Sequence, residues 1–460
     1  MENMTVSMAA CLCEGEIRGK GNPEISLGRI VIDSRQVSEG DLFVAFRGER
    51  VDGHDFLDAA FARGAGCCLV DHIPVGQNGL VILVPDVQSA IEKIAAGYRQ
   101  QFDIPLVGIT GSVGKTTAKE MISAVLEQHF RILKTEGNLN NQIGIPMMLS
   151  RLNQSHQAAV IEMGISDFGE MTALTKMVRP TAAVFTVIGH AHLEFLGDLD
   201  GVLKAKSEML EFLPDHAPVI VNGDDEKLRG LCCRQKIISC GLAADCRVRA
   251  ENIRTDGTVQ NCEIVCENRR IAATIPAYGK QYVYAALFAA AIGMEFGLSD
   301  EEIVSGIANF QNVGRRGDLI RTGVLTLLDD SYNANPDSVK CAIDTLLQTE
   351  GKRHLCMLGN MLELGENSRQ MHFDVGRYAL EKGVDLVLTS GEYAQEMSRA
   401  AGEKGRAFET REALIEAFPN ILQPDDCILI KASKGSHFET VTAALKDFTF
   451  RQQNYENVTH

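Results

Sequence analysis

The sequence predicts an α/β protein of three domains: a small N-terminal α/β unit, a central parallel-sheet domain of the phosphate-loop ATPase type, and a C-terminal Rossmann-like domain. Three observations lead there. The length of 460 residues corresponds, at about 150 residues per domain, to about three of them. Short apolar runs rich in β-branched residues alternate with stretches of helical periodicity, the pattern of a buried parallel sheet covered by helices. That alternation is interrupted by a charged, glycine-punctuated stretch at 313–318 and begins again near Val324, as expected for two doubly wound units joined by a linker. The expected divisions are 1–103, 104–316 and 317–460.

In the first unit, 30–33 and 42–46 read as strands around a Ser-Glu-Gly-Asp turn, and 56–65 reads as a helix. In the second, 105–109, 158–163, 182–188 and 218–222 are short runs bounded by Gly, Pro or Asn and predict strands. After Lys115, apolar residues fall at Ala118, Met121, Ile122, Val125 and Leu126, one face of a helix. In the third, 324–330, 353–358, 384–390 and 426–432 predict strands joined by right-handed helical crossovers. The polar run from Arg451 to the end is expected to fray.

Lys and Arg number 45 against 61 Asp and Glu, a net charge of −16. Such a surface repels polyanions, which argues against a nucleic-acid partner. An anionic substrate would have to be held by local lysines, helix N-termini or metal ions. The N-terminal residues lack the basic region of a signal peptide, and the longest apolar run, at 285–296, is too short to span a bilayer and reads as a buried helix. A cytosolic protein without membrane insertion is expected. The 13 cysteines include no CxxC pair. Adjacent Cys67-Cys68 and Cys232-Cys233 suit neither zinc nor a disulfide, so reduced thiols acting as small hydrophobes are expected.

The strongest local signal is Gly111-Ser112-Val113-Gly114-Lys115-Thr116-Thr117, directly after one predicted strand and directly before a helix. Glycines let backbone N–H groups close around phosphate oxygens, and the helix N-terminus adds positive partial charge. Lys115 is placed to reach the β- and γ-phosphates and the Thr116 hydroxyl to bind Mg²⁺. The loop is a variant, because Ile109 stands where the general pattern has its first glycine. Glu162 ends the next strong strand, where ligands of open α/β sheets bind, and suits Mg²⁺; read alone, a solvated strand-end acid fits as well. His190 and His192 follow another strand, but no Cys/His cluster completes a zinc site.

Taken in order, the segments 32–56 (with Asp33-Ser34-Arg35 and Asp52-Gly53-His54), 111–117, 135–146, 161–171, 192–194, 205–210, 329–338, 357–365 and 431–439 resemble the Mur ligase family over essentially the whole chain. Within it they resemble the dipeptide-adding branch. The resemblance implies an ATP-dependent ligase that joins D-alanyl-D-alanine to UDP-N-acetylmuramoyl-tripeptide through an acyl phosphate, working as a monomer. It implies that the first domain binds the UDP-muramoyl substrate through Ser34, Arg35, Asp52, Gly53 and His54, and that the middle domain binds ATP. The last domain would close on nucleotide and dipeptide. Lys115, Thr116 and Thr117 would hold phosphates and one Mg²⁺. Glu162 and His192 would ligate a second, together with Lys206, the lysine that related ligases carry as a carbamate. Without that modification Lys206 reads as a helix-surface lysine. Asn138 and Asn141 would wall the substrate or nucleotide. Arg315 would approach the ATP phosphates, and Asp330, Tyr332, Asn333 and Asn335 the base and ribose. Lys431, Ser433 and Ser436 would form a surface for the dipeptide, although a helix cap also accounts for either serine. Asn360 stands where the family usually has aspartate, and Val187 where it commonly has asparagine. The alternatives are a related ligase adding one amino acid (diaminopimelate or lysine) and a nucleotide-binding homologue without activity.

Overall fold

A computed structural model describes residues 1–48, 50–256 and 259–449; the terminal run from Arg451 lies outside them. The described residues form three sheets in sequence order. The first comprises β1 (Glu16–Arg18), β2 (Ile30–Val31), β3 (Leu42–Val44), β4 (Cys67–Val70) and β5 (Val81–Leu83) in the order β1-β5-β4-β3-β2. Only β1 runs antiparallel to its neighbour. The strands flanking the Ser-Glu-Gly-Asp turn therefore pair in parallel, Ile30 with Leu42, and not as a hairpin. The buried Asp41 carboxylate holds the crossover, accepting from Arg29 N–H at 2.8 Å and Ser38 N–H at 3.0 Å. The expected helix divides into a 3-10 turn, Gly53–Phe56, and a helix, Leu57–Ala62.

The middle sheet contains β6 (Leu106–Thr110), β7 (Ile132–Lys134), β8 (Ala158–Glu162), β9 (Ala182–Phe185), β10 (Pro218–Asn222), β11 (Lys236–Gly241), β12 (Val248–Asp256), β13 (Val259–Cys266) and β14 (Arg269–Ile275), in the order β14-β13-β12-β11-β10-β9-β6-β8-β7. From β7 to β12 the pairs are parallel, and β12 to β14 form an antiparallel extension. The four apolar runs read from the sequence are its central strands, buried on both faces. The apolar run at 285–296 belongs to helix Lys280–Glu295, whose Ala285, Ala286, Ala289 and Ala290 are buried. Small side chains there let it lie close against helix Lys115–Leu126. Gly306 is needed nearby, since a Cβ on it would stand 2.4 Å from Val125 Cα. This packing fixes the helix that follows the phosphate loop.

The last sheet is β15 (Asp318–Arg321), β16 (Leu325–Asp329), β17 (Arg353–Leu358), β18 (Leu386–Ser390), β19 (Gly405–Phe408) and β20 (Asp426–Lys431), ordered β15-β16-β20-β17-β18-β19. All neighbours are parallel except β15. The carboxyl ends of β16 and β20, side by side, face the carboxyl ends of β6 and β8 across a cleft. All 13 cysteines are free thiols, and burial pushes Cys67 up to about 12, so it stays protonated and unreactive. Among the described residues no helix is long and apolar enough to cross a membrane.

Candidate active site

The cleft between the middle and last units has a volume of about 370 Å³. Its floor is the loop after β6. Gly111 and Gly114 have φ of +146° and +84°, and a Cβ on Gly111 would stand 2.0 Å from Thr186 Oγ1, so glycine is required there. The loop is tied to the exit of β9: Ser112 N–H donates to Val187 O at 2.7 Å and Ser112 Oγ to Gly189 O at 2.8 Å. Thr186 Oγ1 in turn donates to Val113 O at 2.6 Å. No side chain caps the helix that starts at Lys115, which leaves its first N–H groups for an anion. Lys115 Nζ folds back onto Gly111 O at 2.7 Å. Burial lowers its pKa, the Glu162 charge opposes that, and Arg316 adds to it.

Glu162, buried at the end of β8, accepts from Thr116 Oγ1 at 2.8 Å and from Asn140 Nδ2 at 2.9 Å. Its own N–H donates to Thr135 Oγ1 at 2.9 Å. Asn140 escaped the sequence reading, which named its neighbours. Asn138 and Asn141 also border the cleft with Thr117, but Asn141 Oδ1 is engaged by Ile143 and Gly144 N–H at 3.3 and 2.9 Å. Lys206 is buried, 1% exposed, which corrects the helix-surface alternative. Among the described residues no acceptor is bonded to its Nζ, and burial, then the charge of Lys115, push its pKa well down. His192, in the left-handed region at φ 56°, borders the cleft.

From the last unit, Asp330 is enclosed beside Lys431, whose Nζ lies 2.5 Å from Asp330 Oδ2 and 2.8 Å from Asn333 O. Burial raises the Asp330 pKa and Lys431 opposes the rise. Asn335 caps helix Pro336–Gln348, its Oδ1 accepting from Ser338 N–H at 2.8 Å. Asp330, Tyr332, Asn333, Asn335 and Lys431 all border the cleft. The expected linker arginine does not: Arg315 turns to Glu439 at 3.3 Å, and it is Arg316 that lines the cleft, 3.8 Å above the Tyr332 ring. Ser433 is buried, accepting from Leu362 N–H at 3.0 Å and donating to Ala334 O at 3.1 Å. It staples two loops and makes no side-chain cap, so neither surface nor cap describes it. Ser436 lines a separate recess with Arg411.

The five residues expected in the first unit stand away from this cleft, in two local groups. Ser34 opens the turn Ser34–Gln36, and the exposed Arg35 pairs with Asp33 at 2.8 Å, lowering that carboxyl to about 2. Asp52 accepts from the buried His54 ring at Nδ1, 2.6 Å away, while Nε2 accepts from Asp71 N–H at 3.3 Å. A Cβ on Gly53 would stand 2.8 Å from Phe46 N and O, so the backbone there can approach only as glycine.

A glycine-bound loop at an uncapped helix start, a carboxylate on its threonine, and a second α/β unit closing over both define a phosphate-loop nucleotide-binding enzyme. Family models bear this out along the chain: "Mur ligase family, catalytic domain" matches 27–99, "Mur ligase middle domain" 109–293, and "Mur ligase, glutamate ligase domain" 315–434. The UDP-N-acetylmuramoyl-tripeptide–D-alanyl-D-alanine ligase of Escherichia coli K12 is 36% identical, the match covering 97% of this chain and 99% of that one. The Bacillus subtilis 168 ligase of the same name is 32% identical over 97% and 99%. The crystal structure of MurF from Acinetobacter baumannii superposes with a TM-score of 0.88 at 31% identity, covering 96% of this chain and 99% of that one. The Thermotoga maritima MurF ligase in complex with ADP gives 0.82 at 26% identity, over 91% and 97%. The chain belongs to the Mur ligase family.

Proposed function

We propose that this protein joins D-alanyl-D-alanine to UDP-N-acetylmuramoyl-tripeptide at the expense of ATP, as a cytosolic monomer divided at 1–103, 104–316 and 317–460. The observation that carries the reading is the near-complete coverage of ligases with that activity, at 36% and 32% identity, by a chain whose cleft is bordered by a phosphate loop, Glu162 and His192.

An amine does not displace oxide from a carboxylate. Transfer of the γ-phosphoryl group of ATP to the tripeptide carboxylate gives an acyl phosphate, from which the dipeptide amine displaces inorganic phosphate through a tetrahedral intermediate. Lys115 and the N–H groups of residues 111–117 hold the transferring phosphates and offset their charge. Arg316, Tyr332, Asp330, Asn333 and Asn335 receive the nucleotide from the opposite wall, with Lys431 bracing Asp330. Ser34, Arg35, Asp52, Gly53 and His54 hold the UDP-muramoyl end, and Asn138 and Asn141 wall the channel between. Of the residues expected to form a surface for the dipeptide, Lys431 borders the cleft itself, and Ser436 lies in the separate recess.

The residues fit Mg²⁺: Thr116 Oγ1 and a Glu162 oxygen already meet at 2.8 Å, and Lys206 is a buried amine with no hydrogen-bonded acceptor among the described residues. One ion would be held by Thr116 and Glu162, a second by Glu162, His192 and Lys206 as its carbamate. When bound they neutralise phosphate oxygens and bring two anions together. Lys206, whose pKa burial lowers, would add as the free amine to CO₂ with loss of a proton and become a carboxylate-like ligand.

The test is phosphate release from ATP and Mg²⁺ with UDP-muramoyl-tripeptide, with and without the dipeptide, products read by mass. Dipeptide-dependent release and a pentapeptide product are expected. Release with diaminopimelate or lysine alone would move the protein to the single-residue branch, and nucleotide binding without turnover would make it non-catalytic.

A further inference from the structure

His192 and Glu363 meet across the boundary between the middle and last units. His192 Nδ1 lies 2.5 Å from Glu363 Oε2. The nitrogen is buried and, among the described residues, makes no hydrogen bond of good geometry, so Glu363 meets it as an ion pair. Both residues sit in the left-handed region, φ 56° for His192 and 62° for Glu363. Two such residues facing each other are a strain that the fold tolerates at functional positions.

The contact is built from both sides. Glu194 N–H donates to Glu363 O at 3.3 Å, and a Cβ on Gly365 would stand 3.2 Å from Glu194 Cα, so the turn after Glu363 lies flat on the segment after His192. Behind Glu363 the loop is pinned: Met361 N–H donates to His372 Nε2 at 2.9 Å, Leu362 N–H to Ser433 Oγ at 3.0 Å, and Ser433 N–H to Asn360 O at 2.9 Å. A loop anchored at three successive residues presents the Glu363 carboxylate at a fixed place.

We infer that Glu363 is a positioning residue for His192, holding the proton on Nδ1 so that Nε2 faces the cleft as a metal ligand, and doing so only when the last unit is docked on the middle one. The inference rests on the proposed metal role of His192. A histidine ligand with its second nitrogen bonded to a carboxylate has a fixed tautomer, a fixed ring plane and a more basic ligating nitrogen. Here that partner comes from a different unit, so closure over the nucleotide and completion of the metal site become one event. An open enzyme would hold His192 with its ring free to turn.

The experiment uses the full chain with Mn²⁺ as probe, its binding read by electron paramagnetic resonance with and without a non-hydrolysable ATP analogue. Expected outcomes are a loss of Mn²⁺ affinity of roughly 10–100-fold in Glu363→Ala with the analogue, a smaller loss in Glu363→Gln, and no difference between wild type and either variant without it. Glu363 is half-exposed, so both variants should fold. The imidazole nitrogen signals of His192, assigned by comparison with His192→Ala, should show Nδ1–H in the closed wild type and a mixture of tautomers in Glu363→Ala. If His192→Ala lowers Mn²⁺ affinity and Glu363→Ala leaves it within twofold, the inference is overturned and the metal role of His192 stands. If His192→Ala also leaves the affinity unchanged, the metal role itself fails and the inference goes with it.

Discussion

The two adjacent linker arginines offer a direct comparison, because the structure sends their side chains to different places. Arg316 stacks on Tyr332 at 3.8 Å and acts electrostatically on Lys115 on one wall and Asp330 on the other. Arg315 pairs with Glu439 at 3.3 Å, the two side chains 40% and 39% exposed. A guanidinium bonding an anionic phosphate contributes about 1.5–3 kcal/mol, which at about 1.4 kcal/mol per tenfold is roughly a 10–150-fold change. An exposed ion pair contributes about 0.2–1 kcal/mol, at most about fivefold. Arg316→Ala is therefore expected to weaken ATP by the larger factor and Arg315→Ala by the smaller. Arg316→Lys should fall between, since lysine keeps the charge but not the planar stack. The assay is phosphate release against ATP concentration, with ADP binding measured by calorimetry. If Arg315→Ala is the more damaged protein, or Arg316→Ala stays within about threefold of wild type, the assignment drawn from the cleft geometry is wrong.

Three further outcomes are expected. Activity should fall when dissolved CO₂ is stripped and return with bicarbonate, and ¹³C-labelled bicarbonate should give a carbamate signal missing in Lys206→Ala; a wild-type rate indifferent to CO₂ would count against the carbamate. Asn140→Ala, which deprives Glu162 of its second hydrogen-bond donor, should raise the Mg²⁺ requirement roughly 10–100-fold, whereas Asn141→Ala should cost about 1 kcal/mol of stability with little change in Mg²⁺ dependence; the reverse pattern would sink the distinction. His372 is buried and neutral, its Nε2 accepting from Met361 N–H and its Nδ1 facing Ser368 O at 2.6 Å, and burial lowers its pKa against the opposing pull of Ser368, Glu396 and Glu392. The unfolded chain then takes up a proton near pH 6.5 that the folded chain refuses. Stability should thus fall as pH drops below about 6.5 and be indifferent to this residue above it. A urea midpoint in His372→Gln with the same acid slope as wild type would refute the linkage.

What could be read from the sequence was what lies close together in it. The phosphate loop is seven consecutive residues between a strand and a helix, and Glu162 ends a run of buried apolar residues, so both were legible. Which of Arg315 and Arg316 turns inward was not: Gly314 and Gly317, at φ 46° and 77°, set a turn that side-chain chemistry does not announce. Asn138, Asn140 and Asn141 are equivalent in composition, and only the fold puts Asn140 against Glu162. Burial of Lys206 was invisible because its surroundings come from separate segments, Lys115 among them. The antiparallel extension was missed because its strands alternate with charge, Arg270 reaching Glu251 and Glu263 and Arg249 pairing with Glu251; the spacing of Ile271, Ala273 and Ile275 was the signal available. Glu363 had no signal beyond a short motif, since its partner lies in another unit.

That division between local and distant bears on how the enzyme works. The half of the site on the middle unit is rigid, set by β6, β8 and the packed helices behind them. The half on the last unit meets it through two ion pairs, His190 with Asp337 at 2.9 Å, side chains 34% and 32% exposed, and His192 with Glu363, 28% and 49% exposed, and through hydrogen bonds that include His190 N–H to Asp337 Oδ2 at 2.6 Å, Tyr278 Oη to Gln348 O at 2.5 Å and Glu194 N–H to Glu363 O at 3.3 Å. Partly exposed pairs of this kind supply at most about 1 kcal/mol each. Moving an equilibrium from mostly open to mostly closed takes about 5.5 kcal/mol of differential binding. The two ion pairs alone fall short of that, and a nucleotide spanning the phosphate loop and the Tyr332 wall would add differential binding in favour of the closed form. Closure should then follow nucleotide occupancy, and small-angle scattering with a non-hydrolysable ATP analogue should record compaction. A radius of gyration unchanged by the analogue would mean that the units are held together by contacts stronger than these, and that closure is not the step the nucleotide controls.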